Sequence, residues 1–210
     1  MQQINKTKRK DKNMSYDINL INRKTKKVLT MRNPGYVRSG TVPAELNEYG
    51  ELVQAKQIET SINITYNYAS YYYDAAEGDP RFLVEEDGKM ENGGIRGVYG
   101  KPAMEAFHML MDLYNRIFHK YFDTEKLEWK TGERQRAHLY DENGNEYDDP
   151  IYAILHDLPR TEEIETYTVS EGDTENYWEK TAANAIAPLL DMAHMTVEHL
   201  YDEDAVWNGD

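Results

Sequence analysis

The most regular alternation of apolar and polar residues lies over residues 58–68. The even positions are Ile58, Thr60, Ile62, Ile64, Tyr66 and Tyr68. The odd positions between them are all polar. A period of two is typical of a strand that buries one face and wets the other. We therefore predict a strand over these residues, with the side chain of Tyr66 in the core.

Two segments instead show the spacing of three to four residues that is typical of amphipathic helices. In residues 102–122 the apolar stripe is Ala103, Phe107, Leu110, Tyr114, Ile117 and Tyr121. Pro102 suits the first turn of that helix. A second helix is predicted over residues 175–201, with Asp173 or Thr174 as its cap and Trp178 in the core. The predicted class is α+β, with an antiparallel sheet centred on residues 58–68 and covered by these two main helices.

The ends and the middle of the chain differ from this pattern. Residues 1–13 contain five basic side chains without apolar periodicity, which predicts a disordered basic leader before a single domain over residues 14–210. Residues 123–174 are acidic and mixed. Within them, residues 138–155 are typical of a hairpin, because Asn143 and Gly144 favour the positive dihedral angles of a tight turn.

Charge divides the chain into two unequal parts. Residues 1–122 carry 18 Lys and Arg against 15 Asp and Glu, whereas residues 123–210 carry 6 against 23. An acidic surface repels nucleic acid phosphates and attracts basic proteins, so we expect no direct nucleic-acid binding. The candidate partner-binding residues are Asp141, Glu142, Glu146, Asp148, Asp149, Glu162, Glu163 and Glu165. An acidic face that only maintains solubility is the alternative interpretation.

A glycine-rich segment before the first helix is a candidate anion site. Glycines allow backbone amides to converge on a phosphate, but here Ile95 occupies the position of the first phosphate-loop glycine. Pro102 likewise replaces the Ser or Thr that binds magnesium. The remaining hypothesis is a nucleotide or signal-molecule site, with a plain turn between elements as its alternative. Its candidate residues are Tyr71, Tyr72, Tyr73, Arg96 and Lys101.

Evidence for catalysis is weak. The chain contains no cysteine, which excludes thiolate nucleophiles and thiolate metal ligands. A metal-dependent enzyme would have to combine His108 and Asp112 of the first helix with His194 and Glu198 of the second, and solvated helix faces explain these residues equally well. We predict no cofactor and favour a protein without enzymatic activity.

The sequence shows neither a membrane span nor a secretory signal, which predicts a protein of the host-cell cytoplasm. No apolar run approaches the roughly 18 residues that a membrane span requires. The basic N-terminus also lacks the apolar core of a secretory signal. We therefore expect a cytoplasmic protein without a membrane partner, and leave its oligomeric state open.

Five motifs occur in a characteristic order: "MSYDINLIN", "INITYNYASYYY", "GGIRGVYGKPAMEAF", "NYWEKTAANAIAPLL" and "VWNGD". Together they resemble a family of small proteins encoded by bacteriophages and prophages. The resemblance covers about residues 14–122 and 175–210, so residues 123–174 look like an acidic insertion into a common scaffold. It implies a phage or mobile-element setting. In that setting, the acidic surface predicts an anti-CRISPR-like inhibitor of a basic, nucleic-acid-binding host defence protein, which it blocks by mimicking phosphate charge.

Overall fold

The computed structural model describes residues 15–31, 58–148 and 150–209, so the predicted leader and Asp149 lie outside the described residues. The strands are β1 (Ser15–Asn22), β2 (Thr30–Met31), β3 (Ile58–Glu59), β4 (Ser61–Thr65), β5 (Leu83–Glu86), β6 (Lys89–Asn92), β7 (Phe122–Asp123), β8 (Glu128–Trp129), β9 (Thr131–Tyr140), β10 (Thr161–Ser170) and β11 (Ala205–Gly209). The helices are α1 (Ala69–Ala76), α2 (Ala103–Tyr121), α3 (Pro150–Leu155) and α4 (Ala182–Val197). The α+β class is confirmed.

The main sheet contains three antiparallel strands in the order β11, β1, β4. Its register places Ile18 of β1 between Gly209 of β11 and Ile62 of β4. Within the described residues β4 pairs only with β1, so the centre of the sheet is β1. The prediction of a sheet centred on residues 58–68 was wrong, because alternation identifies a half-buried strand without revealing how many neighbours it has.

The strand predicted over residues 58–68 is shorter than its alternation suggested. Ile62 and Ile64 are buried as predicted. The strand ends at Thr65, whose hydroxyl accepts a hydrogen bond from the backbone N–H of Asn67 and caps a short 3-10 turn. This turn rotates the following side chains, so that Tyr66 is 38% exposed. The core placement of Tyr66 was wrong, because a period of two cannot continue through a helical turn.

Helix α2 spans nearly the whole of the segment predicted to be helical. Its buried side chains recur every three or four residues and face α4 and the main sheet. They are Ala103, Ala106, Met109, Leu110, Leu113 and Ile117. This face forms one continuous core with residues of β1, β4, α1 and α4, and Trp207 of β11 is fully buried within it.

Helix α4 begins later than predicted. Thr181 is its cap, since the Thr181 hydroxyl accepts a hydrogen bond from the N–H of Asn184 at 3.2 Å. Residues 171–180 form turns before it, and Trp178 is 66% exposed there. The core placement of Trp178 was therefore wrong. None of the helices in the described ranges is both long enough and apolar enough to cross a bilayer.

The acidic segment contains a hairpin whose strands differ from those predicted over residues 138–155. Strands β9 and β10 pair over ten residues each, from Thr131 opposite Ser170 to Tyr140 opposite Thr161. The predicted tight turn lies at the end of β9, where Gly144 has a φ of +81°. However, the chain does not return as a strand there, because residues Pro150–Leu155 form helix α3 and the return strand begins at Thr161.

Candidate functional site

We call residues 131–170 the arm. It comprises β9, the tight turn, α3 and β10, and its two ten-residue strands extend for about 30 Å at the usual rise of a strand. Residues 162–166 of β10 are exposed on both faces of the ribbon, which shows that this part of the arm stands away from the core. The arm carries ten Asp and Glu against three Arg. It is therefore a projecting, strongly acidic element.

A buried carboxylate fastens the base of the arm to the rest of the protein. Glu171, directly after β10, is only 3% exposed. It accepts hydrogen bonds from Arg134 of β9 at 2.5 Å and from the Tyr71 hydroxyl of α1 at 2.6 Å. The oxygen that accepts from Tyr71 also accepts from the N–H of Ala182 at 2.8 Å, at the start of α4. One carboxylate thus joins the arm to two helices.

The hydrogen bonds around Glu171 are mutually consistent. Burial, together with the hydrogen bond to Glu171, raises the pKa of Tyr71, so the hydroxyl keeps the proton that it donates. Arg134 also donates to the Tyr71 hydroxyl at 2.9 Å and to the carbonyl of Lys180 at 3.0 Å. A buried charge is tolerated only when it is paired and hydrogen-bonded, and Glu171 meets both conditions. The base of the arm therefore has a defined orientation.

A second contact supports the same face of the arm. The hydroxyl of Tyr167 in β10 donates to the Glu179 carboxylate at 2.8 Å, and Arg136 of β9 approaches that carboxylate to 3.5 Å. The Arg136 guanidinium also lies 4.9 Å from the centre of the Tyr167 ring. Two of the three arginines of the arm are thus held against its base, which leaves its distal half more acidic.

Four of the predicted partner-binding residues face solvent on that distal half: Glu142, Asp148, Glu162 and Glu163. None of the four forms an ion pair with a described residue, although Glu163 lies directly opposite His138 in the ladder. Carboxylates without counter-ions generate a negative potential that extends into solvent. These four residues are the part of the predicted set that is available to a partner.

Three other acidic residues of the predicted set have structural partners within the described part of the chain. Asp141 accepts hydrogen bonds from the N–H groups of Asn143 and Asn145, both at 2.8 Å, and so shapes the tight turn. Glu146 and Glu165 bind opposite nitrogens of the His138 ring, at 2.6 Å and 3.1 Å. The sequence placed these residues on an acidic surface, but it could not reveal that they also hold the arm together.

The pair of contacts at His138 favours a charged imidazole. A neutral ring can donate a hydrogen bond from only one nitrogen, whereas here both nitrogens meet carboxylate oxygens. The hydrogen bond to Glu146, followed by that to Glu165, raises the pKa of His138. Protonation of His138 therefore links the tight turn to β10.

The distal half of the arm also exposes apolar side chains that the sequence reading did not single out. Ile154 and Leu155 of α3 are 53% and 76% exposed, and Ile164 of β10 is 61% exposed. On the same helix, the Tyr152 ring lies against that of His156, with ring centres 4.1 Å apart and a tilt of 39° between the ring planes. The run "IYAIL" resembled a strand in the sequence. The one sequence feature that favours a helix is the preceding proline, which directly follows two aspartates, as at the start of many helices.

Two of the three tyrosines of the predicted ligand site lie in the core. Tyr71 and Tyr72 are buried, and the Tyr72 hydroxyl donates to the carbonyl of Ala185 at 2.9 Å. Tyr73 is half-buried. Because the first two rings pack within the core, they offer no face to a ligand.

The two cations of that predicted site are also engaged. Arg96 forms an ion pair with Glu86 at 2.7 Å, and Lys101 forms one with Glu105 at 3.1 Å. The backbone N–H of Gly100 donates to the carbonyl of Trp207 at 2.9 Å instead of facing an anion. The glycines have a packing role: a Cβ on Gly97 would lie 2.5 Å from the Cα of Phe82.

The candidate metal ligands differ in their surroundings. His108, His194 and Glu198 are exposed on their helices, whereas Asp112 accepts a hydrogen bond from Arg81 at 2.8 Å. Across the described ranges, no group of three or more His, Asp or Glu side chains is arranged to hold a metal ion.

The arm is thus the part of the described structure with the most distinctive surface chemistry. The resemblance to phage and prophage proteins stays a prediction. Comparison of this chain with protein-family models, with curated proteins and with solved structures finds no match.

Proposed function

We propose that this protein is a phage or mobile-element accessory protein that binds a basic, nucleic-acid-binding host defence protein. The arm supplies the binding surface and competes with nucleic acid for a cationic channel, in the manner of an anti-CRISPR-like inhibitor. The observation that carries the proposal is a group of four exposed carboxylates on the distal arm that form no ion pair with a described residue: Glu142, Asp148, Glu162 and Glu163.

The geometry of the arm favours this role in two ways. A two-stranded ribbon is narrow enough to enter a groove that accommodates a nucleic acid strand, and its length of about 30 Å spans several phosphates. The anchor at Glu171 fixes its direction relative to α1 and α4, so less conformational entropy is lost on binding. Electrostatic attraction would accelerate association and would be screened over about 8 Å at physiological salt.

The experiment is a competition assay with purified host defence proteins. Guide-loaded RNA-guided nucleases and restriction endonucleases are each titrated with the chain, and binding of target DNA is measured by fluorescence anisotropy at several salt concentrations. We expect the chain to displace DNA from at least one of them, and to do so less effectively as salt rises. The proposal fails if DNA binding by every enzyme is unaffected at the lowest salt concentration.

Two charge-reversal variants sharpen the assay. The arm variant changes Glu142, Asp148, Glu162 and Glu163 to Lys. The control variant changes four exposed acidic residues outside the arm, with the same change in net charge: Glu77, Glu85, Glu91 and Glu203 to Lys. Only the arm variant should lose inhibition. Equal loss in both variants would show that overall charge, and not the arm, causes the effect.

A further inference from the structure

The apolar side chains of the distal arm lie beside its free carboxylates. Ile164 of β10 pairs with Ala137, so it is the diagonal neighbour of Leu139 on one face of the ribbon. Leu139 is buried, and α3 packs against β9 with its own Ala153 fully buried. The exposed Ile154 and Leu155 belong to this same short helix. Three exposed apolar side chains therefore lie at the end of the arm, and we call this end the tip.

Exposure of these side chains has no internal explanation in the described structure. A six-residue helix that needed only to cover Leu139 could do so with Ala153 and carry polar residues elsewhere. Clustered exposed apolar residues rimmed by charge are typical of protein interaction sites. The rim on this face is acidic, since Glu162 lies opposite Leu139 and on the same side of β10 as Ile164. Glu163 adds a second carboxylate on the other face of the ribbon, opposite His138.

The negative charge of this rim favours one kind of binding partner for the tip. A second copy of the chain would bring the same uncompensated carboxylates together around the tip, which opposes self-association. A nucleic acid would be repelled for the same reason. A protein surface with an apolar centre and a cationic rim complements both the apolar side chains and the acidic ones.

We infer that the tip is an anchor that inserts its apolar side chains into an apolar pocket bordered by Lys or Arg on the partner protein. This inference rests on the proposed function, since it specifies what the partner of the arm presents. The carboxylates then supply long-range attraction, and the tip supplies contacts that salt does not screen. Binding by phosphate mimicry alone would be purely electrostatic and would weaken with salt. The electrostatic and apolar contributions to affinity can therefore be separated by their dependence on salt.

The test uses two synthetic helical peptides of equal charge, and so does not depend on the identity of the natural partner. One has a leucine face and a lysine rim, and the other has serine in place of each leucine. Affinity of the full chain for each is measured by isothermal titration at low and high salt. We expect the leucine peptide to bind at least about tenfold more tightly, with the ratio preserved at high salt.

Two matched variants test whether the ratio of the two peptide affinities depends on the apolar side chains of the tip. The tip variant carries Ile154→Ser, Leu155→Ser and Ile164→Ser, and the control carries three equivalent changes at exposed apolar positions elsewhere: Met90→Ser, Leu190→Ser and Val197→Ser. Circular dichroism and thermal unfolding verify that each variant is folded. The ratio should fall to about one in the tip variant and persist in the control.

Each of the other outcomes overturns the inference. Equal affinity for the two peptides would make the arm purely electrostatic and leave the proposed function standing. A ratio that persists in the tip variant would place the apolar contact elsewhere. A parent chain that dimerises in sedimentation equilibrium, and a tip variant that does not, would make a second copy the occupant. Failure of the DNA competition assay with an intact peptide ratio would instead count against the proposed function alone.

Discussion

Removing Arg134 tests whether the anchor at Glu171 holds the arm in place. In Arg134→Met the methionine preserves most of the aliphatic stem, whereas the guanidinium that binds Glu171, Tyr71 and the carbonyl of Lys180 is lost. Among the described residues, the buried Glu171 carboxylate then keeps the Tyr71 hydroxyl and the N–H of Ala182 as its donors. The variant therefore leaves a buried carboxylate without a counter-ion.

The expected cost follows from the burial of the pair. Removing one partner of a buried ion pair usually costs about 3–5 kcal/mol, because the other charge is left uncompensated. The Glu171 side chain is 4% exposed but that of Arg134 is 20% exposed, so water reaches part of the site. We therefore expect a loss at the lower end of this range, about 3 kcal/mol in the free energy of unfolding. Glu171→Gln added to Arg134→Met should recover part of it, because the two effects are not additive.

The assay combines urea denaturation with amide hydrogen exchange. Denaturation reports the loss for the whole chain, and exchange of the β9 and β10 amides reports whether the arm opens separately. The control is Arg136→Met, which removes an ion pair at 3.5 Å whose arginine is 52% exposed and should cost less than about 1 kcal/mol. If Arg134→Met costs no more than Arg136→Met and leaves the exchange of β9 and β10 unchanged, the anchor does not fix the arm.

Three further predictions concern individual residues. The imidazole of His138 should titrate by NMR above the ordinary pKa of about 6.5. Its contribution to stability is then fully present below that ordinary pKa and is lost as the pH rises through the raised one, and a midpoint at or below about 6.5 would contradict this. Gly97→Ala should destabilise the fold by about 3 kcal/mol through overlap with neighbouring backbone, and Gly100→Ala, with a φ of +73° but open space, by only about 1 kcal/mol, as thermal unfolding would check. Trp207→Ala should cost about 4 kcal/mol in urea denaturation and Trp178→Ala less than about 1 kcal/mol, and equal losses would refute the burial assignment.

Features that depend on near neighbours along the chain could be predicted from the sequence. The apolar period of three to four residues located α2 to within one residue at each end. Alternation correctly buried Ile62 and Ile64. Of the two residues predicted to adopt positive dihedral angles in the tight turn, Gly144 does so and Asn143 does not. The excess of acidic residues after position 122 is likewise a property of composition. These features are readable because helix period, strand period and turn dihedrals are set within a few residues.

Features that depend on contacts between residues far apart in sequence could be seen only in the folded structure. Tyr66 and Tyr68 look equivalent in the alternation, but the 3-10 turn after Thr65 leaves Tyr66 partly exposed and buries Tyr68. Tyr71 is buried because its hydroxyl meets a carboxylate 100 residues later in the chain. The same carboxylate fixes the arm, and the ladder between β9 and β10 decides which acidic residues bind His138 and which face solvent. Burial and hydrogen bonding arise from residues far apart in sequence, so no local period encodes them.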